Sequence, residues 1–364
     1  MLVFSIIGTL IGAGFASGQE MYLFFYRYGV NGILGLLLCS SLIGIVIYKT
    51  FQIIHNKNIV NYKDFLNEIF YRGKRQPKHK YLNLCYVSNI IVNVFLLITF
   101  YIMISGFGAY FEQRFQISSV IGASIFSILC FMVLIKGIEG VKKANSLIVP
   151  ILITVILIIG FLSYENFDVS NLVFEANNYK WALQAIVYCS YNMILVIPVL
   201  VSFKKYISSK KQITIVSIFS GIIVFVLAIS IFLVLTRDTA DYSKIEMPAV
   251  YAIDKNFSWI SEIYGSVILL SIFSTTISIG ICFLKNITKD KNSFPQFAAI
   301  MCISGVIISN FGFSNLVKML FPVFGYLGVV EMYFIIKIWG VPQIFMLLIC
   351  YYIKNDMISK ITSV

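Results

Sequence analysis

Charge is scarce in this chain. Only 12% of its 364 residues are Asp, Glu, Lys or Arg, while 59% are hydrophobic and the mean hydropathy is +0.89. A soluble domain of this size could not cover its core with so little polar surface. Long polar stretches are also missing, so no separate soluble domain is expected. Histidine is nearly absent: His55 and His79 fall in or beside one basic loop, where solvated side chains are the ordinary reading. The seven cysteines (Cys39, Cys85, Cys130, Cys189, Cys282, Cys302, Cys350) sit in or at the ends of apolar runs. None has metal-ligand spacing, so they read as small apolar residues. No nucleotide loop, metal motif or His/Cys/Asp cluster is present, which argues against an enzyme. Met1 leads straight into an apolar run without a charged lead-in or small-residue cleavage site, so no cleavable signal peptide is expected.

Long hydrophobic runs are abundant. They are continuous over roughly 18 residues or more rather than alternating, which favours membrane helices over a β-barrel. Eleven spans are expected, at about 2–28, 31–54, 82–110, 117–137, 144–163, 181–203, 212–236, 260–284, 294–311, 313–336 and 338–353. A short helix is expected over 247–256, lying above an outer vestibule, with Pro248 suited to its first turn.

Basic residues follow the even-numbered spans. Lys57, Lys63, Arg72, Lys74, Arg75, Lys78 and Lys80 follow span 2; Lys136, Lys142 and Lys143 follow span 4; Lys204, Lys205, Lys210 and Lys211 follow span 6; Lys285, Lys289 and Lys291 follow span 8. The odd-numbered exits are sparse or acidic, as with Glu165, Asp168 and Glu175 after span 5. The positive-inside bias then places the N-terminus in the cytoplasm and the C-terminus outside. It also accounts for much of the net charge of +12 without a nucleic-acid partner.

The first span holds Gly8-Thr9-Leu10-Ile11-Gly12-Ala13-Gly14-Phe15-Ala16-Ser17-Gly18-Gln19-Glu20. Gly8-xxx-Gly12 and Gly14-xxx-Gly18 fit small-residue helix packing. Ser17, Gln19 and Glu20 fit it less well, because a glutamate inside a membrane needs water or a partner. Gly12 to Gly14 lie about ten residues from the inner end, roughly 15 Å deep and near the bilayer midplane. Backbone unwound there offers carbonyls at the end of the inner half-helix and amides at the start of the outer one. Span 6 has Ser190-Tyr191-Asn192 at its centre. Span 8 carries Ser271, Ser274, Thr275 and Ser278 at i, i+3, i+4, i+7, hence on one face. Ser274 lies at the depth of Gly8 to Ile11, and such neutral oxygens suit an alkali cation.

These residues resemble the amino acid–polyamine–cation superfamily. The string Ile11 to Glu20 is similar to the span-1 signature of an uncharacterised bacterial family of amino-acid-permease type. The resemblance covers spans 1–10. It implies an all-α polytopic membrane protein of the bacterial plasma membrane with the LeuT-like five-plus-five inverted repeat. Residues 1–163 would form the first repeat, 181–336 the second, and 338–353 an additional helix. Spans 1 and 6 would be discontinuous, although the glycines expected around Tyr191 are missing. The substrate carboxylate would meet Gly12, Ala13 and Gly14, with Phe15 beside them and Ser190, Tyr191 and Asn192 opposite. A sodium ion would take the carbonyls of Gly8, Ile11 and Ser271 and the hydroxyls of Ser274 and Thr275. Sodium-independent members place a fifth-helix lysine there, and span 5 has none after Lys143.

The expected function is secondary transport, in the form of sodium-coupled symport of a small amino acid or related zwitterion, with no cofactor beyond the ion. A proton-coupled permease using Glu20 and a non-transporting membrane sensor or assembly protein are the alternatives. Glu20 and Lys318 are candidates for an outer gate or a structural ion pair. Glu331 is read as a snorkelling or interfacial charge.

Overall fold

The computed structural model describes residues 2–72, 84–165, 179–238, 247–288, 292–309 and 313–337, with Phe167, Asp241, Tyr242 and Ile245. These form fourteen α-helices in the order α1 (Leu2–Leu10), α2 (Ala13–Ala16), α3 (Gln19–Phe24), α4 (Val30–Asn56), α5 (Tyr62–Tyr71), α6 (Leu84–Phe115), α7 (Ser119–Leu134), α8 (Gly137–Tyr164), α9 (Lys180–Ser202), α10 (Lys210–Leu235), α11 (Pro248–Asn256), α12 (Ser258–Ile287), α13 (Phe294–Ile308) and α14 (Phe313–Lys337). Six of them (α4, α6, α8, α9, α10 and α12) are long and apolar enough to cross a membrane, and α7 and α13 are shorter apolar helices. With α14 and the broken first segment, they match the first ten expected spans to within a few residues, apart from the start of α8. Span 11 lies outside the described residues.

The surface is apolar where lipid would lie. Ile218, Phe219 and Ile222 of α10, Ile125, Ile128 and Met132 of α7, and Ile300, Ile303 and Ile307 of α13 are all exposed. Polar side chains face inward instead, including Ser217, Ser220, Asn145 and every hydroxyl from Ser271 to Ser278. Hydrocarbon solvent favours this inversion, because a polar group is better satisfied between helices than in lipid. Glycine allows close crossings: a Cβ on Gly221 of α10 would lie 3.5 Å from the Gly44 Cα of α4.

The charged loops gather at two ends. At one end Lys205 pairs with Glu139 at 2.7 Å, Lys204 reaches Asn58 at 2.5 Å, and Lys57 pairs with Glu68 at 3.0 Å. At the other, Arg114 pairs with Glu262, Lys255 pairs with Asp238 at 2.8 Å, and Arg237 donates to the Leu162 carbonyl at 2.7 Å. The basic exits of spans 2, 4 and 6 are therefore neighbours in space.

Two expectations are corrected. Span 6 is not broken: α9 is one continuous helix from Lys180 to Ser202 and is buried without interruption from Val187 to Val201. Ser190 Oγ donates to the Ile186 carbonyl at 2.6 Å and Asn192 Nδ2 to the Tyr188 carbonyl at 2.9 Å. Both polar groups are satisfied by the helix's own backbone. No glycine lies nearby to ease unwinding, and the helix runs on through Pro198. Glu331 does not snorkel either. It is buried at 4% exposure in α14 and accepts a hydrogen bond from the Tyr62 phenol of α5 at 2.8 Å. The short amphipathic α5, N-capped by Asn61, lays Tyr62, Phe65, Leu66 and Ile69 against the bundle and covers the carboxylate.

Candidate functional site

The first span breaks twice. Helix α1 ends at Leu10, and Gly12 is extended at φ −91°, ψ −172°. The chain resumes a helix when the Ala16 amide bonds the Gly12 carbonyl at 3.0 Å. A second break at Gly18 has φ +78°, a left-handed conformation that glycine adopts without steric penalty. The ends of α1 and α2 therefore leave backbone groups that a continuous helix would satisfy internally.

Helix α12 meets the inner break. Thr275 Oγ1 donates to the Gly8 carbonyl at 2.9 Å, with the Ile11 carbonyl at 3.1 Å. Ser274 Oγ lies 3.0 Å from the Gly8 carbonyl and 3.0 Å from Asn145 Oδ1. The Asn145 amide donates to Ser278 Oγ at 2.8 Å. Five neutral oxygens from the first span, α8 and α12 thus converge in a buried place. Gly8 permits the approach: a Cβ there would overlap Ser274 Oγ and lie 2.9 Å from Val149 Cγ2. Among the described residues no cluster of His, Cys, Asp or Glu forms a metal site. An all-oxygen, uncharged donor set is one a hard monovalent cation accepts. Ser271 does not join it by its side chain, since its hydroxyl bonds the Ile268 carbonyl at 2.7 Å.

The outer break is enclosed by α3, α9, α11 and α12. The Ala249 amide of α11 bonds the Ser17 carbonyl at 2.8 Å, and Gly18 lies against Ala249, where a Cβ would fall 2.9 Å from its backbone nitrogen. The expected short helix is therefore seated on span 1 itself. The Tyr264 phenol donates to the Ala16 carbonyl. Glu20 folds back over Gly14, where a Cβ would fall 2.7 Å from the Glu20 Cδ. Its carboxylate accepts from the Tyr188 phenol at 3.1 Å, and Tyr191 stands beside it. The rings of Phe24, Tyr188 and Tyr191 surround this place. Their centroids are 5.2 Å apart for Phe24 and Tyr188, 5.2 Å for Tyr188 and Tyr191, and 5.9 Å for Phe24 and Tyr191.

The structure brings Gly8, Ile11, Ser274 and Thr275 together as one constellation. Gly12, Ala13, Gly14 and Phe15 form the adjoining buried break, and Tyr191 faces Glu20. Ser190 and Asn192 bond their own helix, and Ser190 also touches Met332 Sδ at 3.9 Å. The side chain of Lys318 lies outside the described residues. Asn145, Tyr188 and Tyr62 were not anticipated. An asparagine in an apolar span is itself a signal, but Asn145 fell at the expected edge of span 5, whereas α8 begins seven residues before the expected start, at Gly137.

No family model matches the chain. It is 28% identical over 344 residues to the uncharacterized membrane protein YkvI of Bacillus subtilis (strain 168), covering 90% of this chain and 92% of that protein. It is 23% identical over 326 residues to the uncharacterized protein YyaD of the same organism, covering 89% and 91%. Among solved structures it resembles MhsT in complex with L-phenylalanine, with TM-score 0.66 and 15% identity over 94% of this chain and 89% of that one. It also resembles Mhp1, a nucleobase-cation-symport-1 family transporter, in a closed conformation with bromovinylhydantoin bound. There the TM-score is 0.54 and the identity 12%, over 96% and 74% of the two chains. The chain is an all-α, multi-pass membrane protein with the LeuT-like fold of these two transporters.

Proposed function

We propose that this chain is a secondary transporter that couples sodium entry to uptake of a small amino acid or related zwitterion by alternating access. The observation that carries the reading is the meeting of the Gly8 and Ile11 carbonyls with the Ser274 and Thr275 hydroxyls. A membrane helix is interrupted without cost only where its freed backbone has another use. Here the freed carbonyls end an inner half-helix, at the negative end of its dipole, which favours a cation. Asn145 supports an ion in place of a fixed positive charge, because its carboxamide oxygen and not an ammonium group stands beside Ser274.

Two five-helix halves, 1–163 and 181–336, would rock about this point, with the N-terminus in the cytoplasm. Sodium holds α1 to α12 when bound, and the substrate occupies the adjoining break at Gly12 to Gly14. The test is thermal stability and uptake of purified protein in proteoliposomes, with sodium against potassium, over a panel of amino acids. Stabilisation and accumulation that require sodium support the reading; a panel that neither stabilises nor accumulates under either ion overturns it. A second reading, proton coupling, is favoured by Glu20, a buried carboxylate whose described partners are phenols. Uptake that rises at acid pH and ignores sodium would select it.

A further inference from the structure

We propose that Glu20, with Phe24, Tyr188 and Tyr191, is the seat for an ammonium group of the substrate, and that the substrate's carboxylate is dispensable for binding. This rests on the reading of the span-1 break as the substrate site, and it assigns which end of the substrate is recognised there.

Glu20 is 4% exposed in the interior of a membrane bundle. A buried carboxylate is tolerated when a cation or several donors compensate it. Its hydrogen-bond donors among the described residues are neutral phenols, Tyr188 at 3.1 Å and Tyr191 beside it. Among the described residues, every ion pair lies at the ends of the bundle and none includes Glu20. The bundle therefore presents a carboxyl group for which the described residues supply no cation.

The carboxylate's position decides what the break accepts. Glu20 bends back until its Cγ would lie 2.8 Å from a Cβ on Gly14, and glycine at 14 permits this. The protein's own carboxylate thus lies against the backbone that the family resemblance offers to a substrate carboxylate. Two carboxylates at such short range repel strongly in a low-dielectric interior, whereas an ammonium group is attracted. The rings add to the preference. Tyr188 and Tyr191 meet edge to face at 85°, and Phe24 and Tyr188 at 62°. The three rings surround the carboxylate, and aromatic π-systems attract organic cations.

Gln19, the preceding residue of the chain, also lacks side-chain partners. It is 2% exposed, and neither its Oε1 nor its Nε2 has a partner among the described residues. A buried carboxamide with both ends unsatisfied calls for a bound molecule or water. It sits next to Glu20 in the first turn of α3.

The experiment uses the full chain in nanodiscs and ligand triads that differ by one group. These are L-phenylalanine, 2-phenylethylamine and 3-phenylpropionate; L-alanine, ethylamine and propionate; L-ornithine, putrescine and 5-aminopentanoate. Binding is read by thermal shift and calorimetry in sodium. The expected result is that, in at least one triad, the decarboxylated amine binds as well as or better than the amino acid, and that phenylpropionate and propionate do not bind. Glu20→Gln should weaken amine binding at least about tenfold, as loss of one charge-assisted contact implies. Glu20→Asp, which retains the charge, should weaken it less. If amino acids bind and their amines do not, the ammonium assignment is overturned and the transporter reading stands. If Glu20→Gln folds and binds amines unchanged, the assignment is also overturned, and Glu20 is a structural or gating group. If no member of any triad binds, both readings fall.

Discussion

The Thr275 hydroxyl lies 2.9 Å from the Gly8 carbonyl oxygen, joining α12 to α1 across 267 residues of sequence. That contact closes the inner half of span 1 onto the bundle. It has a bland role as a cap for a freed carbonyl and a functional one as half of an ion site. Thr275→Ala separates them. The cap alone predicts a loss of about 1–3 kcal/mol of stability for a buried acceptor left unsatisfied. The ion site predicts in addition that sodium no longer raises the melting temperature. Thr275→Ser, which keeps the hydroxyl, should retain the sodium response. A sodium response intact in Thr275→Ala would remove this residue from the ion site.

Asn145→Lys should convert the protein to sodium independence. The new ammonium group would stand beside Ser274, where Asn145 Oδ1 now lies, and would supply the positive charge that the ion brings. Uptake in potassium should approach uptake in sodium. Asn145→Leu removes the hydrogen bonds to Ser274 and Ser278 without adding charge, so it should lower stability and leave no ion-free activity.

Gly14→Ala should reduce transport more than it reduces stability. The added methyl would meet the far end of the Glu20 side chain, which can swing aside, and not rigid backbone. Gly8→Ala should be worse for folding, since its methyl meets Val149 and Asn145 as well as Ser274. Overpacking in a closed interior costs about 1–3 kcal/mol. Melting temperatures of the two variants, set beside their uptake rates, test the ordering.

Tyr62→Phe should destabilise the protein by about 1–3 kcal/mol, because it leaves the buried Glu331 without its described donor. Glu331→Gln keeps an acceptor for the Tyr62 phenol and should cost less than Glu331→Ala. If Tyr62→Phe, with Glu331 intact, melts as the parent does, the pair does not hold α5 to α14.

The broken first span was legible because glycine clustering is a local property. So was the hydroxyl face of α12, which follows from helical periodicity alone, and their common depth follows from counting residues at 1.5 Å each. The chemistry of span 6 was not legible. Ser190 and Asn192 look like site residues in a list of central polar groups, yet each bonds a carbonyl four residues earlier on its own helix. Only the absence of glycine hinted at this. Glu331 was misplaced because distance from a helix end says nothing about what covers that end, and α5 covers it.

The sequence by itself determined the apolar spans, the alternation of basic and acidic exits, the break at Gly12 and the oxygen-rich stripe on span 8. Each is set by hydropathy, charge or backbone freedom over a few neighbouring residues. Tertiary structure alone decided which of these met. Asn145 joins Ser274 across 129 residues, Tyr188 meets Glu20 across 168, and Tyr62 meets Glu331 across 269. Such pairings depend on which helix faces lie together and how closely they approach. That is a matter of packing among distant segments, which no local pattern encodes.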